Sequence, residues 1–367
     1  MGLIRFILAI TVVIAHSGPI FGLSFVGGKI AVQAFFIISG FYMALILKEK
    51  YVGTNGSYAL FITNRFLRLY PIYWTVLLLT ILYSVALVLY SHGTNYGRLS
   101  SYSDNFNNIH VGSLLFLIGT NLVIFLQDLV MFLGLDTATG HLFFTSNFQE
   151  TDPRLHGFLL LPQAWTISIE LGFYLIAPFL VRRKARTILV LILVSFMLRA
   201  TLARSGFEND PWSHRFFPSE LAFFLLGIIS YHLYVKLRRV EIRKVYLTLI
   251  WSGVLGVTVC FSLFPIPHKY EIYMCMFFIS LPFVFLLTKK WKYDAYIGEL
   301  SYPIYISHLL ILSCMKTLGL PKFLGAGLTL TVLTVLFSIL LNEFVAKRIE
   351  KRRQGRIRPS TGKALPL

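Results

Sequence analysis

Four groups of ionisable side chains fall inside or at the edge of long apolar runs in this 367-residue chain. A charge held in such surroundings costs several kcal/mol unless paired or hydrated, so each group is a candidate for chemistry. The first is Arg5 with His16. Eleven helical steps of about 100° bring the imidazole back to within roughly 20° of the arginine's face, about 16 Å further along the axis. Histidine changes charge near neutral pH, so His16 suits accepting a proton from a hydroxyl. A buried imidazole hydrogen-bonded to a neighbouring helix is the bland explanation of the same residue. The second group is Arg65 and Arg68, three residues apart at the entrance to an apolar run. On a helix they share a face, and two guanidinium forks could grip a polyanion. Basic residues that merely fix topology would look the same.

Glu170 is the third, in the middle of Trp165-Thr-Ile-Ser-Ile-Glu-Leu-Gly-Phe-Tyr174, with no cationic neighbour in sequence. The fourth is the run Gly298-Glu-Leu-Ser-Tyr-Pro-Ile-Tyr-Ile-Ser-His308, in which Ser301, Tyr305 and His308 recur at i, i+4 and i+7 and make one polar stripe on an apolar helix. Placed on their spans, His16, Glu170 and His308 reach a similar depth from three distant parts of the chain. Two histidines and a carboxylate could in principle hold a metal. No two histidines of these spans lie three to five residues apart, and no metal is expected. The three cysteines, Cys260, Cys275 and Cys314, also lack ligand spacing and are expected to be packed thiols.

The elements that must position these groups are set by composition. Apolar residues make up 56% of the chain and charged residues 14%, with a mean hydropathy of +0.71. A spanning helix takes roughly 20 mostly apolar residues. Such runs fall at about 4–21, 30–47, 70–90, 158–181, 187–203, 216–235, 246–264, 270–288, 296–317 and 323–345, the first being an uncleaved span rather than a leader. A further stretch, 112–133, cannot be an eleventh span. Without it, 24 of the 34 Lys and Arg residues fall in inner segments and 8 in outer ones, as the positive-inside rule requires. The expectation is an all-α integral membrane protein of about ten transmembrane helices, with 112–133 as a re-entrant or interfacial helix in the outer segment 91–157. Residues 1–346 form one membrane domain with both termini cytoplasmic, and 347–367 a basic, disordered tail that anchors topology. The net charge of +18 is explained by that distribution rather than by nucleic acid. No internal repeat of the transporter kind is visible.

Arg5-X10-His16, the run Phe35-Phe-Ile-Ile-Ser-Gly-Phe41, Arg65-X2-Arg68 with Leu69-Tyr70-Pro71, the Trp165–Tyr174 segment and the Leu300–His308 run occur in that order. In this the chain resembles the acyltransferase-3 family of bacterial membrane acyltransferases, which modify surface polysaccharides, lipopolysaccharide O-antigens, exopolysaccharides and Nod factors. The likeness extends from Arg5 to about residue 345. It implies a bacterial inner-membrane enzyme that uses acyl-coenzyme A as co-substrate, acetyl by default and succinyl as the other option, with no permanently bound cofactor. It implies a catalytic role for His16, and donor binding by Arg65 and Arg68 together with Arg5. On this reading Glu170 orients the imidazole, while Ser301, Tyr305 and His308 line the site or bind the acceptor, a glycan or lipid-linked saccharide in contact with membrane lipid. A transporter or flippase for such a glycan is the alternative reading. The chain departs from the family pattern in lacking an Arg-Gly pair after the start, and in carrying Leu171-Gly172 after Glu170, where a second polar residue is usual.

Overall fold

The computed structural model describes residues 1–320 and 325–357, the side chain of Thr54 excepted. Its helices run in the order α1 (Gly2–Ser17), α2 (Gly28–Glu49), α3 (Tyr58–Tyr90), α4 (Ser100–Asn105), α5 (Val111–Val123), α6 (Trp165–Leu180) and α7 (Ala185–Arg204). They continue with α8 (Phe217–Leu237), α9 (Lys244–Cys260), α10 (Lys269–Thr288), α11 (Lys292–Glu299), α12 (Ser301–Thr317), α13 (Ala326–Leu341) and α14 (Lys347–Gly355). The only strands among the described residues are β1 (Leu133–Leu135) and β2 (Leu142–Phe144), an antiparallel pair with Leu133 opposite Phe144.

Among the described residues eight runs are, by length and composition, able to cross a membrane: α2, α3, α7, α8, α9 with its extension to Leu263, α10, α11 with α12, and the run from α13 to α14. The 16-residue helices α1 and α6 occupy the other two expected positions. At 1.5 Å per residue each is about 24 Å long, shorter than the hydrocarbon core. Both boundaries were expected further out. The first span ends at Ser17 because Gly18 takes φ 106° and Pro19 cannot continue the helix. The fourth is helical only from Trp165, after short 3₁₀ turns at Leu155–Phe158 and Pro162–Ala164.

The chain divides into two compact units. The first holds Met1–Ile72, Tyr174–Leu193 and the described residues from Ala222; the second holds Tyr73–Phe173 and Val194–Leu221. In the first unit α1 packs into a core of Ala9, Ile10, Val13, Ile14, Leu300, Ile304, Met315 and Leu330. Its amino end is pinned by Asp294, whose carboxylate accepts from the backbone N–H of Gly2 at 2.6 Å and of Leu3 at 2.9 Å and pairs with the Met1 amine at 2.6 Å. Three of the donors that a helix start leaves without partners are thereby satisfied. Gly40, within the Phe35–Phe41 run, lies so close to α8 that an added Cβ would sit 1.9 Å from the Phe224 carbonyl oxygen. Gly227 meets the Ile37 carbonyl oxygen in the same way, at 2.1 Å. Small residues at the crossing let the two backbones touch, the usual way to gain packing between helices in lipid.

In the second unit α5 replaces the single helix expected at 112–133. It is 13 residues long, about 20 Å. The chain breaks at Ile124 and Leu126, both with positive φ, then makes a 3₁₀ turn (Leu129–Phe132) and the hairpin. The break is tolerated because its backbone is satisfied by side chains, Tyr73, Asn121 and Gln127 among them buried. Tyr73 donates to the Asn121 carbonyl and Trp74 Nε1 to the Leu122 carbonyl, so two of the last-turn acceptors of α5 are capped from α3. Asn121 itself donates to the Phe158 carbonyl at 2.9 Å and accepts from the Leu160 N–H at 2.8 Å, supplying partners to the non-helical lead-in to α6. Gln127 donates to Tyr73 and to the Thr120 carbonyl. This is the condition under which irregular backbone survives at membrane depth.

Two further differences from the sequence expectation concern the chain end and the thiols. Lys347–Gly355 form α14 rather than the start of a disordered tail, while 358–367 and the first residues of the 323–345 span lie outside the described residues. All three cysteines are free thiols, and Cys275 is exposed rather than packed.

Gly40→Ala should lower the stability of purified protein by roughly 1–3 kcal/mol through overpacking, read as a fall in thermal midpoint in detergent. Gly119→Ala, on α5 with open space around it, is the matched control and should leave the midpoint unchanged or higher. Topology reporters fused at Asn105 and at Thr145 should both report the outer side, since α5 is too short to carry the chain across between them. Opposite locations would make the segment a span.

Candidate active site

The first unit holds seven of the eight residues singled out from sequence, and it arranges them at the two ends of α1. Arg5 and His16 are both on this helix, eleven residues and therefore about 16 Å apart. His16 stands in the last turn, where it is exposed, with the Gly18 N–H closing the helix on the Ile14 carbonyl at 2.9 Å. Beside it is His308 of α12. The ring centroids are 5.1 Å apart and the planes are tilted by 37°. Two histidines 292 positions apart in sequence are thus neighbours, brought together by the packing of α12 on α1.

The two imidazoles are held differently. His308 is fully buried, and its Nδ1 lies 2.7 Å from the Tyr305 carbonyl oxygen one turn earlier. A carbonyl only accepts, so Nδ1 carries the hydrogen, and Nε2 is the acceptor nitrogen of the neutral ring. The Tyr305 ring is 6.1 Å from that of His308 and is itself buried. Ser301, first residue of α12, donates to the Gly298 carbonyl at 2.6 Å. Its proton is thereby committed to the turn between α11 and α12, and only its lone pairs remain to offer. Tyr302 ties the same turn to α3, donating to the Leu69 carbonyl at 2.8 Å and so joining two of the sequence motifs directly.

At the other end of α1 the guanidinium of Arg5 lies over the Tyr42 ring, 5.9 Å from its centroid. Arg5 and Arg68 are both within electrostatic reach of Tyr42 and of Glu299, which places Arg68 of α3 in the same neighbourhood. Arg68 is exposed. Arg65, one turn back, is buried to 5% exposure against the Phe61 ring, and its Nε has no hydrogen-bond partner. The arrangement at this end concentrates positive charge, which an anion would offset.

Glu170 belongs to the second unit. It is half-buried on α6, two residues after Ser168, whose hydroxyl donates to Asp128 at 2.6 Å. Among the described residues no three His, Cys, Asp or Glu side chains gather as metal ligands.

Sequence reasoning missed Asp294 and Tyr42. Asp294 fixes the end of α1 that carries Arg5, and its signal was an acidic residue inside a strongly basic inner segment, Lys289-Lys-Trp-Lys-Tyr-Asp294. Tyr42 gave no signal beyond being one of 19 tyrosines.

No solved structure matches the chain. A protein from Aquifex aeolicus (strain VF5) described as uncharacterised is 23% identical over 201 residues, which is 53% of this chain and 89% of its own length. The acyltransferase-3 family, described as an acyltransferase domain, matches residues 1–343, nearly the whole chain and all the motifs above. That match decides between the catalytic and permeation readings of the same intramembrane side chains: the chain belongs to the acyltransferase-3 family and is a membrane acyltransferase.

Proposed function

We propose that this enzyme takes an acyl group, acetyl by default, from coenzyme A at the cytoplasmic face of a bacterial inner membrane and delivers it to a hydroxyl of a surface polysaccharide or lipid-linked glycan. The observation that carries the reading is the His16–His308 pair at one end of a helix whose other end carries Arg5 among the arginines. Coenzyme A has that shape, with phosphates at one end of a flexible arm and the thioester at the other.

In the reaction His16 takes the proton of the acceptor hydroxyl as its oxygen attacks the thioester carbonyl. The C–O bond forms, the tetrahedral centre collapses with cleavage of the C–S bond, and the departing thiolate takes the proton back from the imidazolium. Two features support His16 as that base. It is exposed, so a hydroxyl can reach it. It also stands at the carbonyl end of α1, where the helix dipole stabilises a cation by about 0.3–1 kcal/mol and so favours the imidazolium the reaction creates. His308, its Nδ1–H held by the Tyr305 carbonyl, is the fixed neighbour that offers an acceptor nitrogen; Tyr305 and Ser301 continue the polar stripe along which an acceptor sugar would lie. Glu170 stays in the proposal on its sequence position alone, as the carboxylate that steadies the charged imidazole.

His16→Ala should reduce acyl transfer by at least about 10²-fold while coenzyme A binding and folded yield stay near wild type, and Arg5→Ala should instead weaken coenzyme A binding. Both are read on purified protein normalised by folded fraction. Wild-type transfer by folded His16→Ala protein refutes the base. Arg68→Lys should lose much of the donor affinity that Arg68→Gln loses, because an ammonium cannot reproduce the planar fork. Full binding by the lysine variant would reduce the pair to a diffuse positive patch.

A further inference from the structure

The last described helix is docked against the donor end of the first unit. Lys50, the residue that ends α2, donates to the Gln354 side chain of α14 at 2.6 Å. Just beyond α14, Arg356 donates to Asn64 at 3.2 Å and to Thr63 at 2.9 Å, the two residues before Arg65. Arg353 is buried to 6% side-chain exposure and forms a bidentate pair with Glu350, with Nε at 2.8 Å and Nη2 at 2.6 Å. The helix therefore adds cations to the place where the arginine pair already stands.

The charges there do not balance. Lys50, Arg65, Arg68 and Arg353 act on one another, opposed by Glu350 and, at Arg68, by Glu299, so four cations face two carboxylates. Glu350 is already taken by Arg353 and Gln354. Arg65 is nine-tenths buried with Nε unpartnered, and Arg68 is exposed beside it. Such an excess of cations favours a multiply charged anion of matching reach.

We infer that α14 is a wall of the donor site, and that Lys50 and Arg353 join Arg65 and Arg68 in binding the phosphorylated nucleotide end of acyl-coenzyme A. The inference rests on the coenzyme A reading above and deepens it. The chemistry recognised is a cluster of phosphate monoesters and diesters, which an anionic lipid headgroup would also offer in part. Lys50 adds a titration to this recognition. Its burial, and then the neighbouring Arg353, Arg65 and Arg68, against the opposing pull of Glu350, bring its ammonium down to about 8. A phosphate ligand favours the charged form, so affinity should be full below that pH and decline above it.

The test uses the full chain in nanodiscs of neutral lipid, with 3′,5′-ADP and coenzyme A as probes, and compares wild type with Lys50→Gln, Lys50→Arg and the charge-conserving double variant Glu350→Gln/Arg353→Gln. Loss of one charge-assisted phosphate contact should weaken both probes about tenfold in Lys50→Gln and in the double variant, at unchanged thermal midpoint. Wild-type affinity for 3′,5′-ADP should decline as pH rises from 7 to 9, where phosphate esters are already ionised, and Lys50→Arg should abolish that decline. Failure of wild type to bind coenzyme A at all would overturn the donor reading itself. Binding by wild type with equal binding by folded variants would overturn only the role of α14. Variants that keep nucleotide affinity but no longer retain phosphatidylglycerol through purification would assign the cations to a lipid headgroup and overturn it too.

Discussion

The clamp of Asp294 on the first turn of α1 is the interaction on which the site depends. A helix is a ruler: once its start is fixed, every residue along it is fixed in height and bearing. The carboxylate takes the Gly2 and Leu3 N–H groups and the Met1 amine, and Gly2 and Gly298 allow an approach that no Cβ would permit, since one added at Gly2 would sit 1.5 Å from the Asp294 carbonyl oxygen. From that anchor Arg5 falls among the arginines and His16 falls beside His308. The apolar face between them, Ala9 to Ile14, is locked into the core formed with α12 and α13, so the helix has no freedom to slide. A change in this clamp would move both ends of the site at once.

A second constraint acts in the other unit, where a hydrogen-bond deficit rather than a charge sets the structure. The segment from α5 to the start of α6 is too irregular to satisfy its own backbone, and lipid offers no partners. Asn121, Gln127, Tyr73 and Trp74 make up the difference, each spending side-chain donors or acceptors on carbonyls and N–H groups of the breaks. Asn121 and Gln127, polar residues inside an otherwise apolar stretch, are what allow it to be something other than a span.

What was legible in the sequence follows from the range of each signal. Spanning helices announce themselves over 20 residues, and the expected spans each coincide with a helix of the structure. Arg5 and His16 share a helix, so their relation could be computed from spacing; that His308 closes on His16 could only be suspected from depth, because sequence periodicity carries no information about which helices touch. Ends were misjudged where a local stop competed with continuing hydrophobicity, as at Gly18-Pro19 and before Trp165. The basic residues from Lys347 look like a disordered tail in sequence because composition cannot show a docking partner. Lys50, Thr63 and Asn64 supply one.

The two ends of α1 solve opposite electrostatic problems. At the amino end, cations are gathered in excess of the carboxylates that oppose them, so the free energy of that region falls when a polyanion arrives, and binding energy is available there. At the carboxyl end two imidazoles meet, whose neutral forms are acceptors, beside a helix terminus that favours a cation. If the donor is the proposed thioester, binding energy from the part of it that does not react would hold the reacting carbonyl at the imidazole end, which is how remote contacts contribute to a barrier they never touch. The separation of some 16 Å along a rigid helix keeps the arginines away from His16: positive charge of that density beside it would oppose an imidazolium and weaken the proton transfer proposed for it.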